Sequence, residues 1–124
     1  MLDPRAGRLS YANAGHPHAF RVPRTGAPER LESTAPPLGL AAVGTIQRRQ
    51  VPWTPGADLL VLWTDGLVDA RNEAGEAFGE RRLLENISGH RAESPEAIVR
   101  AALDEAESFG IQPTDDRTLL VMRI

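Results

Sequence analysis

The sequence predicts an α+β fold in which short strands fill the first half of the chain and two helices precede a final strand. Eleven glycines and ten prolines among 124 residues mark many turns, mostly in the first half. Helical periodicity begins only near residue 80, and the last residues return to an apolar run. The length and the 41% hydrophobic content fit a single domain spanning residues 1–124.

Five apolar segments bounded by turn residues predict the strands of the first half. They are Leu9 to Ala14, Ala19 to Val22, Arg30 to Glu32, Gly44 to Trp53 and Asp58 to Thr64. Leu59 to Trp63 is apolar without alternation, which is typical of a central strand covered on both faces. The fold is therefore expected to have more than one layer.

The second half predicts two helices and a closing strand. Glu80 to Ser88 forms a short helix, and Ser94 is a favourable N-cap for a longer one, with Pro95 at its first position and Gly110 at its end. The acidic residues of the longer helix fall mostly off its apolar stripe, which predicts a solvated face. The closing strand runs from Arg117 to Ile124.

Composition excludes several classes of function. Cysteine is absent, so the chain has no thiolate metal site, disulfide or cysteine nucleophile. The net charge is −3, all 14 basic residues are arginines, and they are spread between acidic residues, which argues against nucleic-acid binding. No apolar run approaches the roughly 20 residues of a membrane helix and no signal peptide is evident, which favours a cytoplasmic protein.

Two acidic sites flank the apolar strands. Asp65-Gly66 follows the run that ends at Thr64, and Asp115-Asp116 precedes the run that begins at Leu119. Carboxylates on strand-terminal loops are ligands for hard divalent cations, and a glycine lets the backbone approach closely. The alternatives are an ordinary Asp-Gly turn and a solvated acidic loop.

Three other features of the sequence are candidates for a site or for the core. His16 lies between Gly15 and Pro17, where a hairpin turn is the simpler interpretation and a contact with substrate the alternative. Arg71 and Asn72 follow the Asp65 segment and suit either a phosphate contact or a solvated loop. Trp53 and Trp63 lie in or beside predicted strands and are expected in the core.

Five motifs in one order carry a family resemblance. The motifs are Tyr11-Ala12-Asn13-Ala14-Gly15-His16-Pro17, Pro37-Leu38-Gly39, Thr64-Asp65-Gly66, Phe78-Gly79 and Asp115-Asp116-Arg117-Thr118. The set resembles the bacterial SpoIIE-like branch of the metal-dependent (PPM) serine/threonine protein phosphatases, over nearly the whole chain from Leu9 to Ile124. The resemblance implies a sandwich of two antiparallel sheets flanked by helices, of which this chain is the C-terminal portion.

The resemblance also implies a site and a reaction. Asp65 and Asp115 match metal ligands of the family, Asp116 matches a looser position, and the Gly66 backbone lies beside them. Two Mn²⁺ or Mg²⁺ ions about 4 Å apart would activate a water that hydrolyses phosphoserine or phosphothreonine. The substrate implied is a phosphorylated regulator of the anti-sigma-factor antagonist type.

The chain departs from the family pattern before residue 11. The family's earlier Gly-Asp and Asp-Gly-His-Gly-like motifs, which complete the two-metal centre, have no counterpart in Met1 to Tyr11. We therefore expect the N-terminal metal-binding half to be absent. The alternative function is a catalytically inactive fragment or pseudophosphatase that acts as an interaction domain.

Overall fold

A computed structural model describes residues 1–3, 5–40, 46–110 and 116–124. The elements in these ranges are, in order, β1 (Leu2–Asp3), β2 (Arg8–Tyr11), β3 (Ala19–Val22), β4 (Glu29–Arg30), β5 (Arg49–Pro52), β6 (Leu59–Trp63), α1 (Asp65–Val68), α2 (Glu80–Gly89), α3 (Pro95–Ser108) and β7 (Leu119–Arg123).

The strands form two antiparallel sheets. The first has the order β1-β2-β5 and the second β4-β3-β6-β7. In the second sheet Ala19 pairs with Leu62, and Trp63 pairs with Leu119. The end of β6 therefore lies between the segment that precedes β3 and the segment that precedes β7.

Strand β6 separates two hydrophobic clusters. Leu59, Val61 and Trp63 are fully buried in the larger cluster, which also contains the buried residues of all three helices. Leu60 and Leu62 point to the opposite face and pack against the smaller cluster. The buried residues of that cluster are Leu9, Ala19, Leu31 and Trp53. The predicted central strand, covered on both faces, is confirmed.

The predicted elements match the structure closely where local signals are strong. Strand β3 has the predicted bounds, and helix α3 begins at Pro95, with Ser94 Oγ accepting a hydrogen bond from the Ala97 amide at 3.2 Å. Gly110 has the left-handed φ of 83° expected just beyond a helix. The segment predicted as one strand from Gly44 to Trp53 is shorter, because pairing with β2 covers only Arg49–Pro52, and residues 44–45 lie outside the described ranges.

Two short elements were not predicted. Strand β1 has two residues, and α1 is a single turn that begins at Asp65, where the sequence predicted a loop. Glu105 is also less solvated than expected, because it accepts a hydrogen bond from the Asn86 side chain of α2. In the described part of the chain, no helix combines the length and apolarity needed to cross a bilayer.

Candidate metal centre

Asp65 lies directly beyond the C-terminal end of β6, at the start of α1. Its side chain is exposed, and its Oδ1 accepts a hydrogen bond from the Gly66 amide at 3.0 Å. The Asp65 carbonyl accepts the Asp69 amide at 2.8 Å, which closes the helical turn. The predicted loop is therefore a helical turn, and Asp65 lies at the protein surface.

Thr64 ties this end of β6 to the segment before β7. Its amide donates to the Thr118 carbonyl at 3.1 Å, and its Oγ1 accepts from the Thr118 amide at 3.0 Å. The same hydroxyl donates to the Asp116 carbonyl at 3.2 Å. Because one threonine makes all three bonds, Asp65 and the Asp116 segment are held together at one edge of the second sheet, where β6 ends and β7 begins.

The predicted acidic pair is described only in its second member. Asp116 is exposed at this edge, whereas Asp115 lies outside the described residues. Across residues 1–3, 5–40, 46–110 and 116–124, no group of three or more His, Cys, Asp or Glu side chains is arranged to hold a metal ion. The structure therefore brings Asp65, Gly66 and the backbone of Asp116 to one edge, and it does not test their predicted role as ligands.

The Phe78-Gly79 motif forms backbone hydrogen bonds with α1 and the residues after it. The Gly79 amide donates to the Val68 carbonyl and the Phe78 amide to the Ala70 carbonyl, both at 2.9 Å. Leu67 and Val68 are buried in the larger cluster, so the turn that carries Asp65 is anchored by its own apolar residues. Two of the five family motifs thus cooperate in positioning one carboxylate.

The Asn13–His16 turn reaches the same edge of the sheet. Trp63 donates its amide to the His18 carbonyl at 3.2 Å, which places the residues before His18 beside the residues after Trp63. Asn13 is buried, accepts the His16 amide at 2.8 Å, and donates to the carbonyls of His16 and Leu31 at 2.7 and 2.9 Å. The turn is present, but it is not the predicted hairpin. Strand β2 pairs with β1 and β5 whereas β3 pairs with β4 and β6, so this turn carries the chain from the first sheet to the second.

Gly15 allows this turn to contact the Pro37-Leu38-Gly39 segment. Its φ is 85°, and a Cβ at this position would lie 2.4 Å from the Pro37 side chain. Asn13 accepts the amides of Thr34 and Ala35 through its carbonyl at 2.8 and 3.1 Å. The first two family motifs therefore pack against each other.

His18 is a residue near this edge that the sequence analysis did not single out. Its ring stacks on Trp63 at 5.4 Å between centroids, and its Nδ1 lies 3.3 Å from Glu80 Oε2 at the start of α2. Arg30 also pairs with Glu80. The sequence alone does not predict these contacts of His18, because Trp63 and Glu80 are distant from it in the chain.

Arg71 and Asn72 form a local turn. Arg71 Nη1 donates to the Gly75 carbonyl at 2.6 Å, and Asn72 Oδ1 accepts the Glu76 amide at 2.9 Å. These bonds orient both side chains within the turn, and the alternative of a phosphate contact stays a prediction. Trp53 and Trp63, at 3% and 1% exposure, are confirmed as core residues.

The donor set at the edge fits a hard divalent cation in kind but not in number. Asp65 and Asp116 are exposed acidic residues, and Mn²⁺ and Mg²⁺ prefer oxygen ligands. Mg²⁺ takes about six ligands in near-octahedral geometry. Two carboxylates among the described residues therefore amount to part of a site.

Comparison with known proteins identifies the family. The model of the family described as stage II sporulation protein E (SpoIIE) matches residues 1–124. Protein IcfG of Synechocystis sp. is 35% identical over 98 residues, which is 79% of this chain and 15% of that protein. Phosphoserine phosphatase RsbP of Bacillus subtilis is 35% identical over 68 residues, which is 55% of this chain and 17% of that protein.

A solved structure agrees with this assignment. The SiaA-PP2C domain of Pseudomonas aeruginosa superimposes with a TM-score of 0.77 at 26% identity, over 97% of this chain and 48% of that one. The chain thus spans about half of that structure and less than a fifth of the two relatives. The resemblance and the fold class predicted from the sequence are confirmed, and the chain belongs to the SpoIIE family, with the fold of part of a PP2C-type phosphatase domain.

Proposed function

We propose that this chain contributes part of the metal centre of a phosphoprotein phosphatase that hydrolyses phosphoserine or phosphothreonine. Asp65 and Asp115 are the proposed ligands, with Asp116 and the Gly66 backbone as secondary candidates. The observation that supports this proposal most is the Thr64 cross-link, which holds Asp65 and the acidic pair's segment at one edge of the sheet.

We also propose that the chain is the C-terminal part of its phosphatase domain. The remaining metal ligands would then come from the N-terminal half of the domain, which the family resemblance places before the Asn13–His16 motif. The coverage supports this division, because the chain spans 48% of the SiaA-PP2C structure.

The residues at the edge would act by position and charge. A bound pair of Mn²⁺ or Mg²⁺ ions supplies an activated water and offsets negative charge on the phosphoryl group. Asp65 Oδ1 accepts the Gly66 amide, which orients the carboxylate. Thr64 fixes the distance between the two acidic segments, and the buried Leu67 and Val68 prevent the turn from rotating.

The proposed substrate is a phosphorylated protein of the anti-sigma-factor antagonist type, in a bacterial signalling pathway in the cytoplasm. The family resemblance supports this proposal, as does the similarity to a protein named phosphoserine phosphatase RsbP. Such a substrate presents its phosphate on a serine or threonine side chain at the protein surface. An exposed carboxylate edge, rather than a deep cavity, suits that approach.

A second candidate function is a non-catalytic interaction domain with the phosphatase fold. It is favoured by the sequence, because the family's two earlier acidic motifs have no counterpart in Met1 to Tyr11. The two functions differ in one measurable property, which is metal-dependent turnover.

The test is Mn²⁺-dependent hydrolysis of a phosphoserine peptide by the purified chain, its Asp65→Asn variant and its Asp69→Asn variant. Asp69 is an exposed acid at the other end of α1 and serves as the matched control. Turnover that Asp65→Asn abolishes and Asp69→Asn retains supports the phosphatase. Turnover equal in all three proteins rules out Asp65 as a ligand. No turnover in any of them means that the chain alone lacks a complete centre, which fits both a fragment of a phosphatase and an interaction domain.

A further inference from the structure

A pocket with three arginines lies at the end of β6 opposite to Asp65. Arg24, Arg91 and Arg123 line it together with Gly56, Gly89 and Ser88, and it has a volume of about 600 Å³. Gly56 precedes β6, whereas Asp65 follows it, so the five-residue strand separates the two sites by roughly 16 Å. A phosphate undergoing hydrolysis at Asp65 is therefore out of reach of this three-arginine pocket.

Two of the guanidinium groups are held in place by backbone carbonyls. Arg91 Nη1 donates to the carbonyls of Pro23 and Gly26 at 3.2 and 3.1 Å. Arg123 Nη2 donates to the carbonyls of Arg91 and Glu93, both at 2.6 Å. Each arginine has five N–H donors in a rigid fork, so these bonds orient the group and leave further donors for a ligand.

The third guanidinium is free to move onto a ligand. Arg24 is exposed, and within the described residues it contributes only its backbone amide, which donates to Asp58 Oδ1 at 3.1 Å. The two fixed arginines and the mobile one make a site that is largely formed before binding. Such a site loses less conformational entropy when it closes on a ligand.

The charge of the three-arginine pocket favours an anion. None of the described residues that line it is acidic. The nearest negative groups contact the backbone of the lining, where Asp58 Oδ1 accepts the Arg24 amide and the Ile124 oxygen accepts the Gly56 amide. The C-terminal end of α2, at Gly89, opposes the arginine charges with a partial charge of about −0.5, which is small beside three full positive charges.

From this geometry we propose that the three-arginine pocket binds the phosphate dianion of a small phosphorylated molecule. Arginine forks match phosphate oxygens in pairs, and three guanidinium charges favour a dianion over chloride. The volume exceeds that of a lone oxyanion and leaves room for an organic group attached to the phosphate. The site is independent of the metal centre and of the proposed hydrolysis.

The test is a titration of the ¹⁵N-labelled chain, followed by NMR at constant ionic strength. The probes are inorganic phosphate and O-phosphoserine, with chloride as the reference anion. We expect saturable shifts of the Gly56 and Gly89 amides and of the Arg24 side-chain Nε–H signal with both phosphate probes. Tighter binding of O-phosphoserine assigns the site to a phosphorylated molecule, and equal binding assigns it to free phosphate.

Variants of Arg24 make the test specific. Arg24→Gln should weaken phosphate binding by about tenfold, because one charge-assisted fork is lost, while the backbone bond to Asp58 is kept. Arg24→Lys should retain part of the affinity, since it keeps the charge without the fork. Arg100→Gln, an exposed arginine on α3, is the control. Shifts no larger than with chloride, or equal affinity in Arg24→Gln, would overturn the proposal.

Discussion

Asn13 organises the turn that packs beside the candidate metal centre. Its amide side chain bridges the backbone of His16 and Leu31, and its backbone carbonyl accepts hydrogen bonds from the amides of Thr34 and Ala35. Among uncharged side chains only Asn and the longer Gln supply an acceptor and two donors from one group. The turn was predictable from the sequence, but the distant bond to Leu31 was not, because local spacing does not report it.

Asn13→Ala should lower the free energy of unfolding by about 2–4 kcal/mol, because buried carbonyls of His16 and Leu31 lose their donor. Chemical denaturation followed by tryptophan fluorescence measures the change. Asn72→Ala is the control in an exposed turn and should cost about 1 kcal/mol or less. Equal losses in the two variants would contradict the role given to Asn13.

Alanine variants of Gly15 and Gly26 test the contact between the Asn13–His16 turn and the Pro37-Leu38-Gly39 segment. Both have positive φ, at 85° and 96°, but only at Gly15 would a Cβ collide with a neighbour, the ring of Pro37. Both Ala variants should lose stability through backbone strain, and Gly15→Ala should lose at least about 1 kcal/mol more because the ring must move. Thermal unfolding of the pair decides this, and similar melting temperatures would argue against the contact.

At the scale of elements, prediction succeeded where a local signal was strong. The Ser94 cap and the Pro95 start defined α3, and the unbroken apolar run defined β6. It failed for β1 and α1, since two or four residues are too few to show a period. The placement of Asp65 at the end of β6 was predicted. The helical turn that carries it was not, because it depends on Phe78 and Gly79, and contacts between residues this far apart in the chain are not predictable from local patterns.

Asp58 links the elements at the other end of β6. It is 1% exposed, its Oδ2 accepts Arg21 Nε at 2.8 Å and the Thr54 amide at 3.0 Å, and its Oδ1 accepts the Arg24 amide. Asp58→Ala would leave Arg21, on β3, without its buried partner. Strand β3 and the turn before β6 therefore depend on one carboxylate.

Asp58→Ala should reduce the free energy of unfolding by about 3–5 kcal/mol, as expected for removal of one member of a buried ion pair. Glu85→Ala removes an exposed pair with Arg81 on α2 and should cost about 0.3–0.5 kcal/mol. Urea denaturation of both variants gives the comparison. A loss below about 1 kcal/mol for Asp58→Ala would show that the pair does not join these elements.

At the scale of the whole molecule, the second sheet is covered unevenly. Leu120 and Met122 of β7 are 41% and 42% exposed, on the same face as Leu62 and Leu60, which pack against the smaller cluster. In the described part of the chain, β7 pairs with β6 on one side. An apolar outer strand of this kind pairs readily with other chains.

We therefore expect the chain to self-associate through β7. Sedimentation velocity at micromolar to millimolar concentrations should show oligomers that Met122→Glu reduces, because a charge on this strand opposes pairing. Leu40→Glu changes an exposed leucine outside the strands and should leave the distribution unchanged. A monomer at all concentrations would contradict this expectation.

The whole site was only partly predictable. The ordered motifs located Asp65, Asp115, Asp116 and Gly66 in sequence, and the structure adds the Thr64 bonds that hold two of the segments together. The contribution of Thr64 depends on the register between β6 and β7, which a single sequence does not reveal. The role of the acids as metal ligands stays a prediction.

Calorimetric titration of Mn²⁺ into the chain, into Asp65→Asn and into Asp69→Asn tests the central claim most directly. The account predicts that the chain and Asp69→Asn bind Mn²⁺ alike, and that Asp65→Asn binds at least about tenfold more weakly, since a neutral amide replaces a carboxylate ligand. Equal affinity in the chain and in Asp65→Asn would show that Asp65 holds no metal.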